Sequence, residues 1–185
     1  IWQPGTPAAY TPALPQAVDA FARQHTGDNG YTGAVALLAS ADGVLHLAAH
    51  GHQDIAGLQP MQVDSIFRIY SMTKTVVSVA ALQLIEQGVL GLDDPVAHWL
   101  PEHGQPQRLL AVTDGRARTV PARRSLTVRH LLTHTAGFAS GGELDQAHAA
   151  LLAATGLESA PDLAGYSQRL ARAPLAAEHG SRFRY

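Results

Sequence analysis

Cysteine is absent from the 185 residues. That removes disulfides, thiolate nucleophiles and Cys-based zinc or iron–sulfur sites, and leaves the compartment (periplasmic, secreted or cytoplasmic) open. Lysine is nearly absent as well: of thirteen basic residues twelve are arginine, and Lys74 alone is lysine. A genome that favours Arg and Ala accounts for most of that bias, but not for what the sole lysine does. Neither sign of charge dominates. A formal charge of −2 and a pI near 6.6 argue against a nucleic-acid groove or a polybasic membrane anchor. Long apolar runs are missing too. The most apolar stretch, Val76 to Ile85, is interrupted by Ser78 and Gln83 and falls far short of the roughly 20 residues of a spanning helix. No internal repeat occurs, and no Gly-x-Ser-x-Gly elbow, which disfavours an α/β-hydrolase.

What is present suits a packed core: 46% of residues are apolar and only 15% charged. Residues 1–12, with Pro4, Pro7 and Pro12, read as an extended arm. From Ala13 to His25 the spacing of Leu14, Val18, Phe21 and Ala22 predicts a helix, and Gly27-Asp28-Asn29-Gly30 ends it. Gly33 to Ser40 and Val44 to His50 read as two strands joined by Ala41-Asp42-Gly43, a hairpin turn. Residues 13–70 are therefore expected to form the N-terminal helix and hairpin of a sheet domain. The remainder, 71–185, is expected to be mostly helical. Its first helix, 71–87, is apolar nearly all round and is expected in the middle of a domain, with Gly88 as its left-handed cap. Asp94-Pro95 predicts a short helix with Asp94 as N-cap. Glu102 to Ser125 reads as a polar excursion with a small hairpin, and Thr127–Thr133, Glu143–Ala154 and Asp162–Ala173 as three more helices. The fold class is α/β: an antiparallel sheet flanked by helices, plus a mostly helical subdomain.

Ser71-Met72-Thr73-Lys74 carries the strongest chemistry. Ser and Lys at i and i+3 share a helical face, and a helix N-terminus offers backbone N–H groups to developing negative charge. A serine hydroxyl is a poor nucleophile unless something takes its proton. An amine can do so when desolvation or nearby positive charge lowers its pKa, and the apolar helix that follows predicts a buried Lys74. Arginine could not serve, because its guanidinium keeps its proton. The alternative is that Ser71 merely caps the helix and Lys74 snorkels at the surface.

The surrounding motifs favour the chemical reading. Phe67-Arg68-Ile69-Tyr70-Ser71-Met72-Thr73-Lys74 resembles the first active-site motif of the serine β-lactamase and penicillin-binding-protein superfamily. It is most similar to the branch that holds class C enzymes and β-lactamase-like esterases. The resemblance continues through Gln87-Gly88-Val89-Leu90-Gly91-Leu92-Asp93-Asp94-Pro95-Val96 and His98-Trp99-Leu100-Pro101-Glu102. It resumes at Leu126 to Gly137, and spans about residues 30 to 185. It implies a β-lactamase/transpeptidase-like fold and a serine hydrolase working through an acyl-enzyme on small esters or amides without a cofactor or metal. Ser71 would be the nucleophile, Lys74 its activating amine and the Ser71 backbone N–H half of the oxyanion hole. Pro174-Leu175, Gly180 and Phe183 echo the approach to the family's second motif. This puts Tyr185 in the place of the tyrosine that exchanges protons with the nucleophile and the leaving group.

Three positions depart from the family pattern: Ala136 stands where Ser is usual, His130 where Asp is common and His179 where Pro is expected. The third motif (Lys or His, then Ser or Thr, then Gly) is not among the 185 residues, nor is the strand that gives the second oxyanion N–H. The chain also starts at Ile1 rather than Met and stops inside an aromatic stretch. A C-terminal fragment or second chain is therefore expected to complete the fold.

Two other functions compete. His50-Gly51-His52-Gln53-Asp54 has the His-x-His-x-Asp spacing of a metal-dependent hydrolase, although Ile55 occupies a position where that motif wants His. A catalytically inactive, penicillin-recognising binding module is the other; Lys74 and Tyr185 argue against it. His130 and His134 lie four residues apart, but Leu131 stands where a zincin has its glutamate. Asp93-Asp94 reads as capping rather than as a catalytic pair, and Arg116, Arg118, Arg123 and Arg124 as a solvated loop.

Overall fold

The computed structural model describes residues 13–27, 30–138 and 146–185, with side chains at 146 and 147 excepted. The arm expected over 1–12, Asp28-Asn29 of the first turn and residues 143–145 of a predicted helix lie outside them. The fold is mixed α/β, with two small antiparallel sheets among helices. The chain divides into two compact units, 1–69 and 70–185. No helix among the described residues is long and apolar enough to cross a membrane.

In the first unit the predicted helix is α1 (Ala13–Gln24), followed by β1 (Gly33–Ser40) and β2 (Gly43–Gly51). The strands pair antiparallel from Gly33 opposite Gly51 to Ser40 opposite Gly43, with an irregularity between Leu38 and Ala39. Helix α1 is tied to β2 through one carboxylate. Asp19 Oδ1 lies 2.9 Å from His46 Nε2 and 3.0 Å from His50 Nε2. Residues 46 and 50 are four apart on a strand, so both rings project to one face. The hydrogen bond from His46, with help from His50, holds the Asp19 carboxyl below its ordinary pKa.

The second unit opens with a 3₁₀ turn, Tyr70–Met72, that leads into α2 (Thr73–Glu86). Gly88 ends it at φ +71°, with its N–H on the Ile85 carbonyl at 3.0 Å, the predicted left-handed cap. The expected burial of this helix is not found. None of its residues is buried, and Val76, Val77, Val79 and Leu82 each keep more than half of their side-chain surface in solvent. An apolar helix is buried only where another layer covers it, and within the second unit no described segment covers these side chains. Asp94 is a second correction. It does not cap a helix: its carboxylate accepts the Gly91 N–H at 2.7 Å, and the turn that follows, Val96–His98, is 3₁₀ with Pro95 in the cap position. Asp93 pairs with Arg129 through two hydrogen bonds of 2.7 and 2.8 Å.

The polar excursion holds the predicted hairpin, β3 (Gln107–Thr113) and β4 (Arg116–Pro121). Asp114 at φ +51° and Gly115 at φ +72° form its turn, the Asp-Gly chemistry whose twist matches antiparallel strands. Then come α3 (Val128–Leu132), α4 (Gln146–Ala154) and α5 (Leu163–Arg172). Asp162 caps α5 by accepting the Gly165 N–H at 2.7 Å.

The core of this unit sits where 95–96, 126–138 and 173–180 meet. Val96, Leu126 and Ala136 are buried together with Phe138 against them, and Leu175 and His179 are wholly enclosed. Backbone hydrogen bonds weave these segments together: Val96 N–H to Leu126 O at 2.9 Å, Leu175 N–H to Gln107 O at 2.7 Å, and Ala176 N–H to Gly137 O at 2.9 Å. Gly137, at φ +83°, is required there, because a Cβ would run into the Ala177 carbonyl.

Candidate active site

Ser71 lies in the 3₁₀ turn before α2, one residue after Tyr70, a non-glycine residue at φ +43°. Lys74 is one turn further along, and its Nζ donates to Ser71 Oγ at 3.2 Å. The predicted pairing of hydroxyl and amine is thus present, but the predicted burial of Lys74 is not: the side chain is exposed. The apolar residues meant to desolvate it are themselves uncovered.

Tyr185 reaches the same point from the other end of the unit. The strand-like stretch before it is fixed to the turn after α3, with Gly180 N–H on Thr135 O and Arg184 N–H on His134 O, both at 2.8 Å. The Tyr185 phenol is hydrogen-bonded to the Ser71 side chain, and Lys74 Nζ lies 5.2 Å from its ring centroid. The hydrogen bond with Ser71, followed by the lysine's positive charge, draws the phenol below its ordinary pKa of 10.0. Ser71, Lys74 and Tyr185 line one side of an open cleft of about 460 Å³, whose other walls include Leu131, Phe138 and Tyr166. Among the described residues its lining includes the cations Lys74 and Arg184 and no Asp or Glu side chain. Chemically, such a site can move a proton between a hydroxyl, an amine and a phenol, and can receive an apolar or negatively charged group.

The rival metal ligands are not brought together. His50 is taken by Asp19, and Asp54 Oδ1 accepts the Leu58 N–H at 2.9 Å. No three His, Asp or Glu side chains among the described residues are arranged to hold a metal ion. His130 and His134 also part company. His130 Nδ1 accepts the Thr127 N–H at 3.2 Å and its ring stacks on His179, 5.9 Å between centroids, whereas His134 faces Phe183 and Tyr185. Two of the three departures from the family pattern, His130 and His179, are therefore neighbours in space. His179 Nδ1 meets the Ala136 carbonyl at 2.5 Å behind the cleft wall.

Sequence reasoning did not single out Ser167, whose Oγ donates to Glu102 at 2.5 Å and lies 3.1 Å from His103 Nε2. Nothing in the sequence signals a grouping 64 positions apart. With its proton on Glu102, Ser167 ties α5 to the Pro101–His103 turn. His134 figures in the sequence only as part of the family-like stretch Leu126 to Gly137 and as a failed metal ligand; it lies two residues beyond the end of α3.

Comparison with known proteins gives this arrangement a family. The Beta-lactamase family model matches residues 18–185, and the chain belongs to that family. It is 34% identical over 178 residues to the esterase EstB of Burkholderia gladioli, covering 94% of this chain and 42% of that protein. Among solved structures it resembles EstCE1, described as a hydrolase with promiscuous acyltransferase activity (32% identity, TM-score 0.62, 92% of this chain and 40% of that one). It also resembles unliganded simvastatin synthase, LovD, from Aspergillus terreus (32% identity, TM-score 0.66, 92% and 42%). The chain spans 38% to 42% of the length of the first curated relatives it matches. Its relatives include esterases and acyltransferases.

Proposed function

We propose that the protein is a serine hydrolase that cleaves small esters or amides through an acyl-enzyme, with Ser71 as nucleophile. The observation that carries the reading is the meeting of Lys74 Nζ, Ser71 Oγ and the Tyr185 phenol at one point of the cleft. Ser71 Oγ attacks the substrate carbonyl, and its proton passes to Lys74 in its neutral form or to the Tyr185 phenolate. The tetrahedral oxyanion is met by the Ser71 backbone N–H. Collapse breaks the bond to the leaving alcohol or amine, which takes a proton from Tyr185, and leaves an ester on Ser71. Water, deprotonated by the same groups, then attacks that ester, releasing the acid and returning the proton to Ser71. An alcohol in place of water would give acyl transfer, the activity named for EstCE1.

The completed site includes polypeptide beyond these 185 residues. Supporting this are the uncovered apolar face of α2 and the fraction of its relatives that the chain spans. A covering layer would take Lys74 out of water, the surroundings in which an amine can act as a base. Esters are favoured over β-lactams because the motif around Ser71 is closest in wording to the esterase-like branch.

A fluorophosphonate probe and a panel of 4-nitrophenyl esters, nitrocefin and D-Ala-D-Ala peptides test the proposal. The expected result is labelling of Ser71 and ester hydrolysis faster than nitrocefin turnover, both lost in Ser71→Ala. Labelling that survives Ser71→Ala would falsify the assignment, and loss of activity in EDTA without any serine labelling would revive a metal-dependent reading.

A further inference from the structure

We infer that His134 is a positioning residue for Tyr185: its imidazole fixes where the phenol stands relative to Ser71. The inference rests on the proposed role of Tyr185 and adds a residue to it. Three observations converge. His134 follows α3 at φ +53°, in the left-handed region that glycine occupies without strain and other residues do not. A turn needed only to end a helix is served by glycine. Here a ring is held in that conformation instead. Its carbonyl accepts the Arg184 N–H at 2.8 Å, which fixes the backbone one residue before Tyr185. Its imidazole then packs edge-on against Tyr185, with centroids 5.1 Å apart, and against Phe183 at 5.6 Å. One residue thus grips the 183–185 stretch by backbone and by side chain, while also lining the cleft with Ser71 and Lys74. A phenol that must reach a hydroxyl within hydrogen-bond distance tolerates little freedom, and an edge-to-face neighbour removes the swing that a surface tyrosine otherwise keeps.

The test compares His134→Gly, His134→Phe, Tyr185→Phe and the two double variants in the full-length protein, with 4-nitrophenyl acetate as substrate. His134→Gly relieves the backbone while deleting the ring, so a purely structural role predicts unchanged or better behaviour. Positioning predicts a kcat lower by about tenfold with KM within about twofold. It also predicts that His134→Phe restores most of the rate, and that His134→Gly costs less than about twofold once Tyr185 is already Phe. An equal loss with and without the Tyr185 hydroxyl overturns the inference, as does a rise in KM at unchanged kcat or full activity in His134→Gly. If His134→Gly does not fold, His134→Asn, whose side chain tolerates the left-handed region, takes its place in the same cycle with the same criteria. Ser71→Ala separates the two levels. Hydrolysis that survives it defeats the serine mechanism, whereas Ser71-dependent activity with additive His134 and Tyr185 effects defeats only the positioning role.

Discussion

Helix α2 and the stretch 173–185 both bring a reactive group to the same cleft, and they are held in opposite ways. Leu175 and His179 are completely enclosed, and hydrogen bonds tie the stretch to Gln107, Thr135, His134 and Gly137. Helix α2 is at least as apolar, yet Val76, Val77, Val79 and Leu82 face solvent and Lys74 with them. The contrast shows that apolar content sets what a segment can bury, while the available partners set what it does bury. On the Tyr185 side the backbone is anchored by the enclosed Leu175 and His179 and by hydrogen bonds up to Arg184, while the Phe183 and Tyr185 rings themselves stay more than half exposed. On the Ser71 side the site rests on one short turn and its hydrogen bonds.

The largest effect is expected on the less supported side. Lys74→Arg keeps charge and reach but removes a titratable amine, so kcat for 4-nitrophenyl acetate falls by about 10³-fold or more. A loss under tenfold would remove Lys74 from the chemistry. Next is Leu175→Ala, which opens a cavity in the enclosed segment and lowers stability by about 2–5 kcal/mol in urea unfolding. A cost near that of a surface site would dissolve the contrast drawn above. Tyr185→Phe keeps the ring and its packing against His134, so stability holds while kcat drops about 10²-fold.

Acid acts on the packed region first. Burial lowers the pKa of His103, His130 and His179 from the ordinary 6.5, so each is neutral in the fold and protonates more readily when unfolded. The stability they contribute is complete above about 6.5 and is lost as pH falls below it toward their lowered values. Asp93 and Glu102 are likewise depressed from 3.8 and 4.5, through hydrogen bonds from Arg129 and Ser167 respectively, and their contributions fade below that range. Urea midpoints measured from pH 7.5 to 4.5 should begin to fall as the pH passes below the ordinary histidine value of 6.5. His179→Gln, which keeps a donor for Ala136 but cannot titrate, should flatten that first limb, and an unchanged limb would exonerate His179. The smallest effect is expected from Val79→Ala: under about 0.5 kcal/mol in residues 1–185 alone. It should rise to about 1–2 kcal/mol in the full-length protein if a further segment covers α2. Equal values in both would contradict that covering.

Elements set by local signals were legible in the sequence. The spacing of Leu14, Val18 and Phe21, the Asp162 cap and the Gly88 stop are short-range features, and their elements fall within a residue or two of the expected bounds. The pairing of Ser71 with Lys74 was legible for the same reason, since i and i+3 meet in any helical turn. Asp94 misled because two local uses of a carboxylate compete, and accepting the Gly91 N–H displaced the helix cap. What depended on long-range packing was not legible. The burial of α2 needed a partner that no window of sequence reports, and Asp19's hold on His46 and His50 joins a helix to a strand across 27 and 31 positions. His130 and His179 were visible as separate oddities, and only the fold makes them a stacked pair.

The central claim is that Ser71 becomes acylated. Peptide-mapped mass spectrometry of protein quenched during turnover of a slow ester measures this directly. The expected result is one acyl group per chain, on the peptide containing Ser71, absent from Ser71→Ala and accumulating in Tyr185→Phe if deacylation is the slower step there. An acyl group on Ser167, or turnover in Ser71→Ala with no adduct at all, would contradict it.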